Sequence, residues 1–322
     1  MDYIIIGASG FIGSHFVEFI CNNYPNNKIY MLDKALPKKV YHNTEYVYCD
    51  INKKINLEID FKNPTLFHLA ALCKEPGYKW DEYFQTNYVG TKNICAFALN
   101  NNIKKIIFTS SMSVYKPLEI KNIEEDLTAP VTAYGISKLL AEEVLLTWKN
   151  SNPKHHLKIV RPGIVFGKNE NGNFTRLANS LRKNTFVFVG KKDTIKSNIY
   201  VKELINFLLF LENDLNERII YNLVFPEAYT IESICKNICN VMKWKRYIPV
   251  LPFKLLLLFS YLFELLNKIG VNNSIHHRRI EKLFYSTRLS VDAALVSGYK
   301  FSYNLESALM DWKNDCGGKK LF

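Results

Sequence analysis

Short apolar runs alternate with amphipathic stretches through the first half of the chain. Tyr3–Ile6, Lys28–Leu32, Glu45–Cys49, Thr65–Leu69, Lys105–Thr109 and Leu157–Val160 read as successive strands, and residues 11–22, 80–101 and 131–150 carry helical spacing. Ile4-Ile5-Ile6 and Ile106-Ile107-Phe108 lack a polar alternate, so these strands are covered on both faces. Strands alternating with helical stretches predict an α/β fold of the doubly wound, Rossmann type with a parallel sheet. After Arg161 the rhythm loosens. Helices are expected at 173–184, 202–212, 230–242 and 254–269 and strands at 186–189 and 219–223, in a sequence that turns more aromatic and basic. The pattern divides the chain into a nucleotide-binding domain at 1–165 and a smaller, mainly substrate-binding portion at 166–322. No Ser/Gly linker separates them, so the two are expected to pack closely.

The turn between the first strand and helix brings in chemistry. Gly7-Ala8-Ser9-Gly10-Phe11-Ile12-Gly13 has the spacing G-x-x-G-x-x-G: a tight turn, a close backbone approach to a pyrophosphate, and close helix–strand packing with the phosphates at the helix N-terminus. Asp33 ends the second strand, where a carboxylate holds ribose hydroxyls and repels a 2′-phosphate. NAD is therefore favoured over NADP, although Lys34 is adjacent to accept such a phosphate. Asp50 and Ile51 follow the third strand at the place of an adenine ring. Leu69, Ala70 and Ala71 end the fourth with small side chains against the cofactor.

Beyond the strand at 105–109 lies a hydroxyl cluster, Ser110-Ser111-Met112-Ser113, at the edge where open α/β sheets hold their ligands. Tyr134 and Lys138 stand four residues apart, on one helix face, so the ammonium is expected to lower the phenol pKa. Ser111 to orient a carbonyl or hydroxyl, Tyr134 to pass its proton and Lys138 to hold the nicotinamide ribose form a set for carbonyl–alcohol interconversion.

These stretches resemble the extended short-chain dehydrogenase/reductases, specifically the NAD-dependent epimerase/dehydratase group acting on nucleotide sugars. The resemblance rests on GASGFIG (7–13), Asp33, CDI (49–51), HLAA (68–71), TNYVGTKN (86–93), FTSSMSVY (108–115), YGISK (134–138) and RPGIVFG (161–167), in family order, and continues more weakly through NIYVKEL (198–204). It implies a 4-epimerase or 4-keto-reductase with Ser111, Tyr134 and Lys138 as catalytic groups. Gly7, Ser9, Gly10, Phe11, Ile12, Gly13, Asp33, Asp50, Ile51, Leu69, Ala70, Ala71, Asn87 and Pro162 would surround NAD together with Tyr134 and Lys138. Lys74, Ser111, Met112, Asn173, Arg176 and Arg279 would face the substrate. One departure bears on the sugar: Ile164 stands where sugar epimerases of this group often carry asparagine. The RPxxVFG form is also similar to the hydroxysteroid dehydrogenase branch, which keeps a membrane-associated lipid-alcohol dehydrogenase open as a second reading, and a non-catalytic NAD-binding regulator as a third.

Composition sets the remaining bounds. A net charge of +12 is spread along the chain without a basic arm, which points to an anionic substrate, a solvated surface or a membrane surface rather than nucleic acid. The seven cysteines lack both a disulfide framework and metal-site spacing, as free thiols in a reducing cytoplasm do. Met1-Asp2 runs directly into the first strand, predicting no secretory leader. Leu255–Leu266, LLLLFSYLFELL, is shorter than the roughly 20 residues of a bilayer span. It fits a helix packed into the second portion or a dimer interface, or else an interfacial helix, with peripheral membrane contact through 252–269 and a place at the inner face of a membrane. The family resemblance implies a homodimer formed through the helices at 80–100 and 131–150.

Overall fold

A computed structural model describes residues 2–75, 77–116, 120–214, 216–268, 277–318 and 321, without the side chains of 262, 264–268, 278 and 279. The chain runs β1 (Asp2–Ile6), α1 (Phe11–Asn23), β2 (Lys28–Asp33), β3 (Thr44–Tyr48), β4 (Thr65–His68), α2 (Trp80–Tyr83), a π-helical turn at Phe84–Val89, α3 (Gly90–Asn100), β5 (Lys105–Thr109), a 3₁₀ turn at Met112–Val114, α4 (Ala133–Asn150) and β6 (His156–Pro162). It continues through β7 (Ile164–Phe166), α5 (Asn173–Arg182), β8 (Phe188–Val189), β9 (Asn198–Tyr200), α6 (Val201–Glu212), β10 (Ile220–Leu223), α7 (Ile231–Met242), β11 (Val250–Leu251), α8 (Phe253–Lys268), α9 (His277–Phe284), α10 (Asp292–Val296) and α11 (Leu305–Asp315).

Seven parallel strands in the order β10-β6-β5-β4-β1-β2-β3 form the central sheet. β1 is buried along its whole length because its side chains alternate between two cores. Ile5 joins Phe16, Val17 and Ile20 of α1 and Leu204, Phe207 and Leu208 of α6 on one face. Ile4 and Ile6 join Ile94 and Phe97 of α3 and Ala141 and Leu145 of α4 on the other. An unbroken apolar triplet thus fills both sides of the sheet. Strand order reverses between β1 and β4, which opens the ligand crevice of this architecture above their carboxyl ends.

The sheet's last strand comes from the second half of the chain: β10 pairs with β6, Tyr221 opposite Val160. α6 also packs on the sheet, so the elements of 166–322 are inserted around a return to it. β7 and β9 form a separate parallel pair, Ile164 opposite Asn198, and β8 pairs with β11. These two- and three-residue strands carry no periodic signal, and the sequence reading lacks β7, β9 and β11. The expected helix at 80–101 is three pieces, with the π-helical turn in the middle, and the last residue of the expected helix at 254–269 lies outside the described residues.

Candidate active site

The glycine turn lies at the reversal of strand order. Gly7 has φ +86°, and a Cβ there would meet the Ala70 backbone nitrogen at 2.6 Å. A Cβ on Gly13 would meet the Gly7 carbonyl at 2.1 Å, which is why the helix can start against the strand. Gly10 caps α1 with no side-chain hydrogen bond and no acidic residue in the first turn, leaving backbone N–H groups for an anion. Asp33 sits over this turn: its Oδ2 accepts from the Ser9 amide and its Oδ1 from the Ala35 amide, each at 2.9 Å. Glycines without Cβ atoms, an uncapped helix start and a carboxylate held above them fit a dinucleotide with an unphosphorylated ribose. Phe11 and Ile12 open α1 half-buried.

The neighbouring strand ends close the same crevice. Ile51 is buried against Gly90, where a Cβ would come within 2.9 Å of the isoleucine side chain. Asp50 accepts from the Asn52 amide at 3.1 Å. Leu69, Ala70 and Ala71 are half-buried, as backbone that a cofactor can lie against requires. Asn87, in the π-helical turn, is committed within the protein: its Oδ1 accepts from the Leu72 amide at 2.9 Å, while its Nδ2 donates to the Leu72 carbonyl at 3.1 Å and to Ser137 Oγ at 2.9 Å. It fastens the loop after β4 to α4. Pro162 ends β6, buried and paired with Leu223.

Ser111, Tyr134 and Lys138 converge at the end of β5. Thr132 caps α4, accepting from the Gly135 amide at 3.1 Å, so Tyr134 stands in the helix's first turn. Gly135 lets that turn approach the hydroxyl loop, since a Cβ there would lie 2.2 Å from the Ser113 carbonyl. The Ser111 side chain accepts from the Ser113 amide at 3.1 Å and acts on the Tyr134 phenol in the direction that lowers its pKa. Lys138 is enclosed, donating to the Thr109 carbonyl at 2.7 Å with its Nζ 3.9 Å from the Phe108 ring centre.

The electrostatics correct one expectation. Desolvation pushes the Tyr134 phenol above its ordinary range, with Cys73 and the Glu75 carboxylate adding in the same direction. Lys138 falls to about 7, again through desolvation, with Glu142 and Cys73 opposing the fall. Removing a phenolate and an ammonium from water outweighs their separation by one helical turn, so the free protein keeps Tyr134 protonated.

The substrate-side candidates are more dispersed. Lys74 lies exposed on the loop after β4, its carbonyl accepting from the Tyr83 hydroxyl, and Met112 is half-buried beside Ser111. Asn173 and Arg176 are exposed on α5 and bond each other at 2.9 Å. The side chain of Arg279 lies outside the described residues. Among the described residues no group of three or more His, Cys, Asp or Glu is placed to hold a metal.

Beneath the site lies a buried polar cluster that the sequence reading lacks. Glu142, one turn beyond Lys138, receives two bonds from Arg161 and one from the Ser110 hydroxyl. Its signal was available: a carboxylate at i+4 from Lys138 on an otherwise apolar helix face, and an arginine closing a buried strand.

With this geometry in hand, likeness to known proteins places the chain. A family model described as the NAD dependent epimerase/dehydratase family matches residues 3–223. An N-acetyl-alpha-D-glucosaminyl-diphospho-ditrans,octacis-undecaprenol 4-epimerase of Escherichia coli O157:H7 is 29% identical over 312 residues, 96% of this chain and 93% of that one. Among solved structures, a UDP-glucuronic acid 4-epimerase from Bacillus cereus in complex with NAD superposes with TM-score 0.74 at 18% identity, covering 98% and 99% of the two chains. A UDP-N-acetylglucosamine 4-epimerase from the same organism gives 0.70 at 21% identity, covering 97% of each. These two share the fold. The family match takes in the glycine turn, Asp33, Ser111, Tyr134, Lys138 and the strand that completes the sheet, and the chain belongs to the NAD dependent epimerase/dehydratase family.

Proposed function

We propose that this chain interconverts a hydroxyl and a keto group at C4 of a diphosphate-activated hexose, as a 4-epimerase or a 4-keto-reductase, with NAD at the glycine turn. One observation carries the reading: the loop bearing Ser111 and the first turn of α4 bearing Tyr134 are brought into contact by Gly135, above a fully enclosed Lys138. Bound NAD supplies the hydride acceptor and donor. Ser111 orients the C4 oxygen, and Tyr134, protonated in the free protein, gives its proton to a 4-keto oxygen as the hydride arrives. In the opposite direction the phenol must first lose that proton. Lys138, with a pKa brought to about 7 by burial, stands one turn along the same helix as a base to take it. Asp33 holds the ribose hydroxyls and disfavours NADP.

The groups offered to the activated sugar come from both portions, Lys74 and Met112 from 1–165 and Asn173 and Arg176 of α5 from 166–322. A nucleotide diphosphate is the first carrier to test. A polyprenyl diphosphate is the second, favoured by the full-length likeness to the undecaprenol-linked 4-epimerase. We place the enzyme in the cytoplasm as a homodimer through α2, α3 and α4, whose exposed apolar residues include Trp80 and Leu99.

The test is turnover of sugar nucleotides by the purified full chain with NAD. Tyr134→Phe is expected to lower turnover by roughly 10²–10⁴-fold while NAD affinity is kept. Undiminished turnover in that variant would remove Tyr134 from the reaction.

A further inference from the structure

α8 is closed on one side by α9, which runs antiparallel to it. Phe253 stacks on Phe284 at 4.2 Å between ring centres, and Tyr261 stacks on His277 at 5.0 Å. Another side is open: Leu255, Leu258 and Phe259, at i, i+3 and i+4, are 45%, 59% and 47% exposed. Tyr261 and Val250 are exposed nearby in sequence, and Tyr285, just after α9, is exposed with its ring centre 6.3 Å from that of Phe253. A helix of a water-surrounded domain turns such a stripe inward.

The charge on the segment leading into the stripe has one sign. Between Glu232 and Glu264 the sequence holds Lys236, Lys243, Lys245, Arg246 and Lys254 and neither Asp nor Glu. Lys243, Lys245, Arg246 and Lys254 are exposed on the approach to α8 and in its first turn. An apolar helix face flanked by cations matches the boundary between anionic headgroups and acyl chains. No described helix is long and apolar enough to cross a membrane, so α8 would lie in that boundary.

The same pair of helices reaches the candidate active site. Lys282 of α9 bridges Glu75 at 3.2 Å, and the Glu75 carboxylate is one of the charges felt by the Tyr134 phenol. The open face of α8 is therefore joined through α9 to the loop beside Tyr134.

We propose that Leu255, Leu258 and Phe259, with the cations before them, dock α8 on an anionic lipid bilayer and set the Tyr134 site at the membrane surface. This deepens the reading of a diphosphate-activated sugar substrate, because a sugar carried on a membrane lipid would meet the site there. A second copy of the chain fits the face less well: pairing it with itself would gather Lys243, Lys245, Arg246 and Lys254 of both copies, with Glu264 as the one carboxylate that α8 itself contributes.

Flotation of the purified full chain with vesicles tests this. The protein is expected to float with vesicles of phosphatidylcholine and phosphatidylglycerol in equal parts and to stay below with phosphatidylcholine alone. Leu258→Asp with Phe259→Asp, on an exposed face, should keep the wild-type unfolding midpoint and lose flotation by about tenfold or more. Lys254→Glu should weaken it in the same assay without touching the apolar stripe. Wild-type protein left unbound by the anionic vesicles overturns the proposal, as does a dimer in light scattering that Leu258→Asp breaks while flotation is unaffected. Tyr134→Phe should float like the wild type. If that variant floats and also retains full turnover, the catalytic reading fails and the docking surface stands.

Discussion

Arg161 and Glu142 meet in two parallel bonds under the candidate active site, Nε to Oε1 at 3.0 Å and Nη2 to Oε2 at 2.6 Å. Both are buried, and the pair ties β6 to α4 one turn beyond Lys138. Nη1 of Arg161 also donates to the Tyr115 hydroxyl at 2.6 Å, which in turn donates to Asn222 on β10 at 3.0 Å. The cluster therefore locks together four elements that carry or border Ser111, Tyr134 and Lys138.

Removing one member of such a pair leaves a buried charge unmatched, which costs more than removing both. Glu142→Gln is expected to lose about 3–5 kcal/mol in urea unfolding. Glu142→Leu combined with Arg161→Met should recover much of that loss. Because Glu142 also supports the Lys138 charge, the double variant should hold Lys138 even further below the ordinary lysine range than the wild type does. A double variant no more stable than the single one would show that the cluster is stabilised by its hydrogen bonds to Ser110 and Tyr115 rather than by its charges.

Lys138 gives stability a pH dependence whose sign follows from burial. Its native pKa of about 7 lies below the ordinary lysine value, so below pH 7 the folded chain carries the full penalty of an enclosed ammonium. As pH rises from there the native lysine has released a proton that the unfolded chain retains, and stability rises by about 1.4 kcal/mol per pH unit from this group. Buried thiols work the other way at higher pH: Cys49 is pushed up to about 11 and Cys95 to about 12, so the unfolded chain ionises first. The comparison belongs between pH 7 and about 8.5, below the ordinary thiol range. Lys138→Met should be more stable than the wild type at pH 7, with the gap closing as pH rises. Parallel profiles of the two proteins would mean that Lys138 stays charged throughout.

The elements that position the cofactor site were legible because their signals are local. Ile4-Ile5-Ile6 fills two cores, Gly7, Gly10 and Gly13 stand at a fixed spacing, and Asp33 ends the next strand. Ser111, Tyr134 and Lys138 were legible as residue types at the end of a strand and on one helix face. Their protonation was not, since spacing alone suggests a lysine lowering a phenol pKa, whereas burial of both groups decides it the other way. β7 and β9 were invisible because Ile164–Phe166 and Asn198–Tyr200 are too short to show a period and pair only through the fold. The contact between Lys282 and Glu75 spans most of the chain, so no local pattern announces it.

Gly135 is the single residue on which the meeting of Ser111 and Tyr134 depends most directly. An added Cβ would lie 2.2 Å from the Ser113 carbonyl, and backbone cannot yield as a flexible side chain does. Gly135→Ala is expected to push the first turn of α4 away from the hydroxyl loop, at a cost of about 1–3 kcal/mol in stability. Turnover should fall further than stability does, by roughly 10²-fold, because the turn bearing Tyr134 separates from the loop bearing Ser111, which the proposed function requires to act together. NAD affinity, which the proposed function assigns to the glycine turn and Asp33, should change little. An alanine variant with normal turnover would mean that the loop carrying Ser113 relaxes without disturbing Ser111.

Asp33 stands between two backbone amides, and the proposed function makes this placement the determinant of dinucleotide choice. Its oxygens receive the amides of Ser9 and Ala35, so the carboxylate both shapes the glycine turn and keeps a negative charge beside the ribose position. Asp33→Asn retains the shape of the side chain but turns one oxygen into a donor facing an amide, and it removes the charge. NAD affinity should fall by about tenfold from the lost acceptor. NADP should gain relative to NAD by a similar factor, because a 2′-phosphate no longer meets a carboxylate and Lys34 lies exposed next to it. Titrating both dinucleotides against both proteins reads the ratio directly. An unchanged ratio would assign the selectivity to the shape of the turn, with Asp33 holding the Ser9 and Ala35 amides in place and contributing no repulsion of its own.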